Sequence, residues 1–341
     1  MRDSLFVFFT NGEPYNIDPI IYLESPVYMG SVMLMRAALF RSLFATMLVV
    51  SADASELSST QLEIVQVAAG IYVHPGREVG IDHANREDSA NIGFIVGREC
   101  VAVVDSGGSI DTGRALLAAI HNRTDVPICY VINTHVHFDH ILGNAAFVED
   151  GVEFVGHQKL TEVIANNRNF FSEQFAQELD GGRPELVIGP TKSVLASTSL
   201  DLGERKIVLK AHSTAHTTTD LSVFDENTET LWTGDLVFIG RLPILEGSLR
   251  GWLTWVEEYQ ARSFARIIPG HGPASAAWPS AADAQREYLT ALLTDARKAV
   301  ADGSYIEDAI AIIGVNAASK WKLSDVHSRN ASRAFRELEW E

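Results

Sequence analysis

Residues 134–140 read THVHFDH, three histidines and an aspartate in seven positions, directly after the apolar run ICYVI at residues 128–132. A short apolar run of this kind reads as a buried strand, which delivers the polar string at its carboxyl end. Alternate side chains of an extended backbone share a face, so His135 and His137 point the same way and suit one metal ion. Asp139 and His140 follow once the chain turns and suit a second ion beside the first. Neutral imidazole and carboxylate are the usual zinc ligands, and catalytic zinc sites keep a position open for water.

Partners for this string stand downstream, each where an apolar run gives way to a polar loop. His216 lies in AHSTAHTTTD after a strand at 206–210. Asp235 lies in LWTGDLVF, in a loop expected after a strand ending near Trp232, and His271 lies in IIPGHG after Ile267 and Ile268. Five of the chain's 11 histidines and two aspartates thus make up the ligand number that a two-metal site needs when one carboxylate bridges. Asp105 is placed either to cap a helix or to accept the outer N–H of a ligand histidine, and Asp220, four residues past His216, could do the same. His212 reads as supporting or structural rather than as a ligand. In the loop after Asp235, Arg241 and Arg250 offer forked donors for an anionic substrate group; the alternative for each is a solvated or helix-bordering arginine.

The flanking pattern alternates strands and helices. Residues 62–67 and 71–73 form an expected hairpin around Ala69-Gly70, and residues 91–96 and 101–104 a second pair around Gly97-Arg98. Asp111 is the expected cap of a helix running to about His121. The second half carries expected strands at 187–195, 206–210, 221–224 and 230–232, then helices at 251–261 and 281–301, with small helices beyond Gly303. Two β-rich halves, each followed by helices, predict two packed sheets with helices outside, and no linker divides them. A net charge of −17 argues against a nucleic-acid partner, because phosphate binding needs Lys/Arg stripes. Cys100 and Cys129 are too few for a disulfide framework and read as two small core residues; a bridge requires neighbouring strands and an oxidising compartment.

Upstream, residues 33–54 carry Arg36 and Arg41, an apolar run at 43–50 and a small-x-small site at Ala52-Asp53-Ala54. This is the layout of a secretory signal peptide, too short for a permanent membrane span. The expectation is a start at Met33 or Met35, an upstream segment plus leader over residues 1–54, and a mature periplasmic or secreted domain over residues 55–341.

THVHFDH, AHTTTD, TGDLVF and IIPGHG together resemble the metallo-β-lactamase superfamily over roughly residues 61–275. Within it, ANIGFIVG (residues 90–97), GDLVFIGRLPILEGSLRGWL (234–253) and PGHGP with the later WP (269–279) are similar to the SoxH-like quinoprotein relay system zinc metallohydrolases. The resemblance implies an α+β fold, a four-layer αβ/βα sandwich with a di-metal site on one edge. It implies His135, His137 and His216 for a first zinc, Asp139, His140 and His271 for a second, and Asp235 as the bridge. It also implies an association with periplasmic quinoprotein oxidation systems. The implied activity is a hydrolase of two Zn²⁺ per chain, iron being the other candidate metal. A metal-bridging hydroxide would attack an acyl carbonyl of a small ester, lactone, thioester or amide-type substrate, with Asp139 as catalytic group. The rivals are a β-lactamase proper, an iron-dependent persulfide dioxygenase and a metal-loaded scaffold without turnover. Against the first, Asp235 stands where some β-lactamases place a cysteine, and Phe238 where they place a lysine.

Overall fold

The computed structural model describes residues 61–341 apart from 81, 82 and 150; the leader-like segment and the domain start near residue 55 lie outside the described residues. Among the described residues twelve strands form two sheets. The first is ordered β1 (Val65–Ala68), β2 (Ile71–His74), β3 (Ile92–Val96), β4 (Val101–Val104), β5 (Ile128–Ile132), β6 (Glu153–His157) and β7 (Lys192–Val194). It is antiparallel through β4 and parallel from β4 to β7. The second runs β12 (Arg266–His271), β11 (Thr230–Phe238), β10 (Leu221–Asp225), β9 (Lys206–Ala211) and β8 (Ser197–Asp201). Only its β11–β12 pair is parallel.

Period-two alternation assigns each strand residue to a layer. Ala102, Val104, Ile132, Trp232 and Ile268 face the space between the sheets, where they meet Ile71, Leu209 and Val223. Their neighbours Val101, Val103 and Val131 point outward onto Leu116 and Ile120 of helix α1 (Ile110–His121). Leu231 and Ile267 point outward from the second sheet. They join a core built with α4 (Leu249–Gln260), α5 (Asp283–Ala301) and α8 (His327–Leu338). Between these come α2 (Phe138–Ile141), α3 (Leu160–Gln174), α6 (Ile306–Ile310) and α7 (Val315–Ala318). Three apolar cores between four layers make the expected αβ/βα sandwich.

Several local expectations are corrected. Ser109, not Asp111, caps α1: its side chain accepts from the Thr112 N–H at 3.0 Å, the hydroxyl geometry that a cap requires. The strand expected over 187–195 is only Lys192–Val194, because Pro190 lacks the N–H a ladder needs. The edge strand β8 buries Leu200 alone and carries no apolar run to announce it. Conversely β11 continues to Phe238, buried along its whole length. Cys100 and Cys129 are not separate core thiols but a disulfide with Cα atoms 5.6 Å apart, brought together because β4 and β5 are parallel neighbours.

Candidate metal centre

The carboxyl ends of the strands bring all seven sequence-derived residues to one place. His135 and His137 leave β5, Asp139 and His140 sit on the short α2, and His216 lies between β9 and β10. Asp235 lies inside β11 rather than in a loop after it, and His271 is the last residue of β12. All seven are buried. Ligand atoms of His135, His137, His216 and Asp235 lie within 4.8 Å of one another, as do those of Asp139, His140 and His271.

What aims these atoms inward is the outer ring of hydrogen bonds. His140 Nδ1 donates to Asp105 Oδ2 at 2.8 Å, and His271 Nδ1 to the Ser89 carbonyl at 2.8 Å. His216 Nδ1 donates to the Ile244 carbonyl at 2.7 Å, and His135 Nδ1 to Thr134 Oγ1 at 3.0 Å. That hydroxyl in turn donates to Asp105 at 2.8 Å. His137 is turned the other way: its Nε2 meets Glu246 Oε2 at 2.9 Å. Each ring has one nitrogen engaged outward, so the remaining nitrogen presents its lone pair to the centre, the arrangement that orients metal-binding imidazoles. His216 Nε2 and His137 Nδ1 face each other at 3.0 Å; two lone pairs at that distance repel unless a proton or cation stands between them. His135 Nε2, His140 Nε2 and Asp235 Oδ1 are buried without a hydrogen-bond partner. The donor set and these orphaned atoms fit a pair of borderline-soft divalent cations.

Asp235 faces both groups. Its Oδ2 lies 3.5, 3.4 and 3.3 Å from Nε2 of His135, His216 and His271, and its Oδ1 lies 3.1 Å from His140 Nε2. Burial alone would raise the carboxyl, yet His271, His140 and His135 hold it well below the usual range. His140 shows the reverse: burial opposes its charge, but Asp235, Asp105 and Asp139 hold the ring well above the usual histidine value. Burial, with His137 beside it, pushes His216 down to about 3, and burial with the neighbouring His140 keeps His135 low. The carboxylates that favour charge on the His140 ring are the groups a cation bound there would meet. The glycine of PGHG has a steric reason: a Cβ on Gly270 would come within 1.9 Å of Asp235 Oδ1.

Of the two placements expected for Asp105, the structure has the contact to a histidine of the cluster: it accepts from His140, with φ +55° and its second oxygen on the Thr134 N–H at 2.8 Å. Asp220 does not reach His216. It accepts from the N–H and hydroxyl of Thr217, closing the HTTTD turn, and burial pushes its carboxyl up to about 7. His212 donates to or accepts from Ser222 Oγ at 2.8 Å, away from the seven. Arg241 is buried, with Nη1 3.4 Å from His271 Nδ1. Arg250 instead pairs with Glu341 at 2.7 Å and Glu337 at 3.7 Å, on the exposed face of α4. Sequence reasoning missed Glu246, the Ile244 carbonyl and Ser89, whose hydroxyl donates to Asp139 Oδ2 at 2.7 Å. All three act through tertiary contacts that no local spacing announces.

A family profile described as the metallo-beta-lactamase superfamily matches residues 85–271. A linear primary-alkylsulfatase from Pseudomonas sp. is 42% identical over 52 residues, which are 15% of this chain and 10% of that protein. The chain thus aligns with only about a tenth of this curated relative's length. Among solved structures, a metallo-beta-lactamase from Pontibacter korlensis superposes with TM-score 0.56 at 18% identity, over 67% of this chain and 99% of that one. A stereoselective inverting sec-alkylsulfatase from Pseudomonas sp. superposes with TM-score 0.59 at 15% identity, over 82% of this chain and 50% of the other. With a profile spanning more than half its length and a four-layer sandwich carrying the ligand-dense edge, this chain belongs to the metallo-β-lactamase superfamily.

Proposed function

We propose that the protein is a zinc-dependent hydrolase of a small acyl substrate: an ester, lactone, thioester or amide-type bond. The observation that carries this reading is the ring of outward hydrogen bonds that turns five imidazoles onto one buried centre shared with two carboxylates. His135, His137 and His216 would hold one ion, Asp139, His140 and His271 the other, and Asp235 both. Two zinc ions bound there would supply Lewis acidity and lower the pKa of a water toward neutrality. The chain's own part is to orient and deprotonate. Ser89 fixes Asp139 through Oδ2, and His140 and His271 hold the carboxyl ionised against the cost of burial. Asp139 Oδ1 is then placed to accept a proton from the attacking water, and no serine or cysteine nucleophile is required.

A sulfate ester is the second reading, favoured by the alkylsulfatase relatives. The full second ligand set weighs against a one-metal iron dioxygenase, and Asp235 with Phe238 against β-lactam hydrolysis as the main activity. For location, the leader-like segment and the disulfide support export to an oxidising compartment. There the SoxH-like motifs suggest service beside quinoprotein oxidation systems.

The test is metal analysis of the purified full chain, followed by turnover of lactone, thioester, β-lactam and alkyl sulfate panels. Two zinc per chain, with hydrolysis lost on His137→Ala, is the expected result. One iron per chain with oxygen-dependent turnover would overturn it.

A further inference from the structure

Beside the metal centre lies a cavity of about 250 Å³ that His271 and Ser89 border on one side and Arg77, Glu78, Arg241 and Pro273 on the others. Its charges are unequal in standing. Arg77 Nε is tied to Asp88 at 2.7 Å, and Glu78 is tied to Lys322. Arg241 is different: it is 6% exposed, its Nε has no hydrogen-bond partner, and no carboxylate among the described residues pairs with it. The polar atom beside it among the described residues, His271 Nδ1 at 3.4 Å, cannot serve as acceptor, because that nitrogen already gives its proton to the Ser89 carbonyl. A guanidinium never loses its charge, and buried charges are ordinarily paired. The fork therefore opens on a void within contact distance of a metal-ligand histidine.

We propose that Arg241 is the anion-binding residue of this site, so that the substrate carries an oxyanion which docks in this cavity while its scissile bond lies over the metals. The inference rests on the hydrolase reading for the identity of the reaction, but not for the anion site itself. The planar fork matches the two oxygens of a carboxylate or of a sulfate or phosphate. The cavity admits a small group of either shape.

Thermal unfolding of the full chain as purified, with sodium sulfate or sodium acetate against sodium chloride at equal ionic strength, gives a first answer. The wild type is expected to gain a saturable stabilisation beyond the chloride control, and Arg241→Gln to lose that excess. Arg241→Lys, which keeps the charge but not the fork, should retain part of it. A response to sulfate alone assigns a tetrahedral anion, and a response to acetate alone a carboxylate. Equal responses in wild type and Arg241→Gln, or none in the wild type, overturn the proposal. Turnover separates the two readings. In Arg241→Gln, the ratio of kcat/KM for an anionic substrate to that for its neutral analogue should fall about ten- to a hundredfold. Absence of turnover on every substrate would sink the hydrolase reading while leaving the anion result standing.

Discussion

Glu246 shows how much of the candidate site's geometry rests on residues outside the seven that cluster there. Its carboxylate, kept low despite burial by His137 and then His216, turns His137 so that Nδ1 faces inward while the other histidines present Nε2. Outer partners of metal-bound histidines are worth about 10- to 100-fold in metal affinity. Glu246→Gln should therefore weaken zinc binding by about tenfold or more in competition with a chromophoric chelator, with the fold intact by circular dichroism. Unchanged affinity would show that the His137 ring is held by packing alone. That the seven residues would cluster was legible from type and spacing: alternate histidines on an extended segment share a face. Glu246 and Ser89 were not, since they lie 109 and 182 residues from the histidines they hold, and only the path of the loops brings them in.

Elements were read best where apolar residues run unbroken and worst where polar residues interrupt them. β3 and β4 declared themselves by apolar runs. β8 buries one side chain, α3 has no strong apolar stripe in LTEVIANNRNFFSEQ, and β11, buried on both faces, hid Asp235 within what read as a loop. The seam between β9 and α4 also carries a pH dependence. His212 sits just past β9, against the rings of Trp255 and Tyr259, and burial, reinforced by Lys210, pushes its pKa down to about 3. Below its ordinary value the unfolded chain takes up a proton here that the folded protein refuses until about pH 3, so stability falls as the solution is acidified through that interval. Between pH 7 and 5 this one group costs about 2 kcal/mol. Urea titrations should show that much less acid destabilisation in His212→Asn than in the wild type; parallel pH profiles would assign the acid sensitivity elsewhere.

Across the described residues, three apolar cores hold four layers together without calling on the candidate metal centre. Chelation should accordingly lower the melting temperature yet leave far-ultraviolet circular dichroism at 25 °C unchanged. The loss corresponds to about 3–4 kcal/mol when free zinc stands at 100 to 1,000 times its Kd. Collapse of secondary structure on chelation would mean that the ions build the fold. Among the described residues no helix is long and apolar enough to cross a membrane.

The pairing of β4 with β5 is fastened at both ends, by Cys100–Cys129 where the strands begin and by Asp105 on Thr134 where they finish. The ligand loop that follows hangs from a frame already drawn tight, so an arriving ion has little chain to gather. Ions bound there would be passengers rather than rivets, able to leave and return without the frame coming apart.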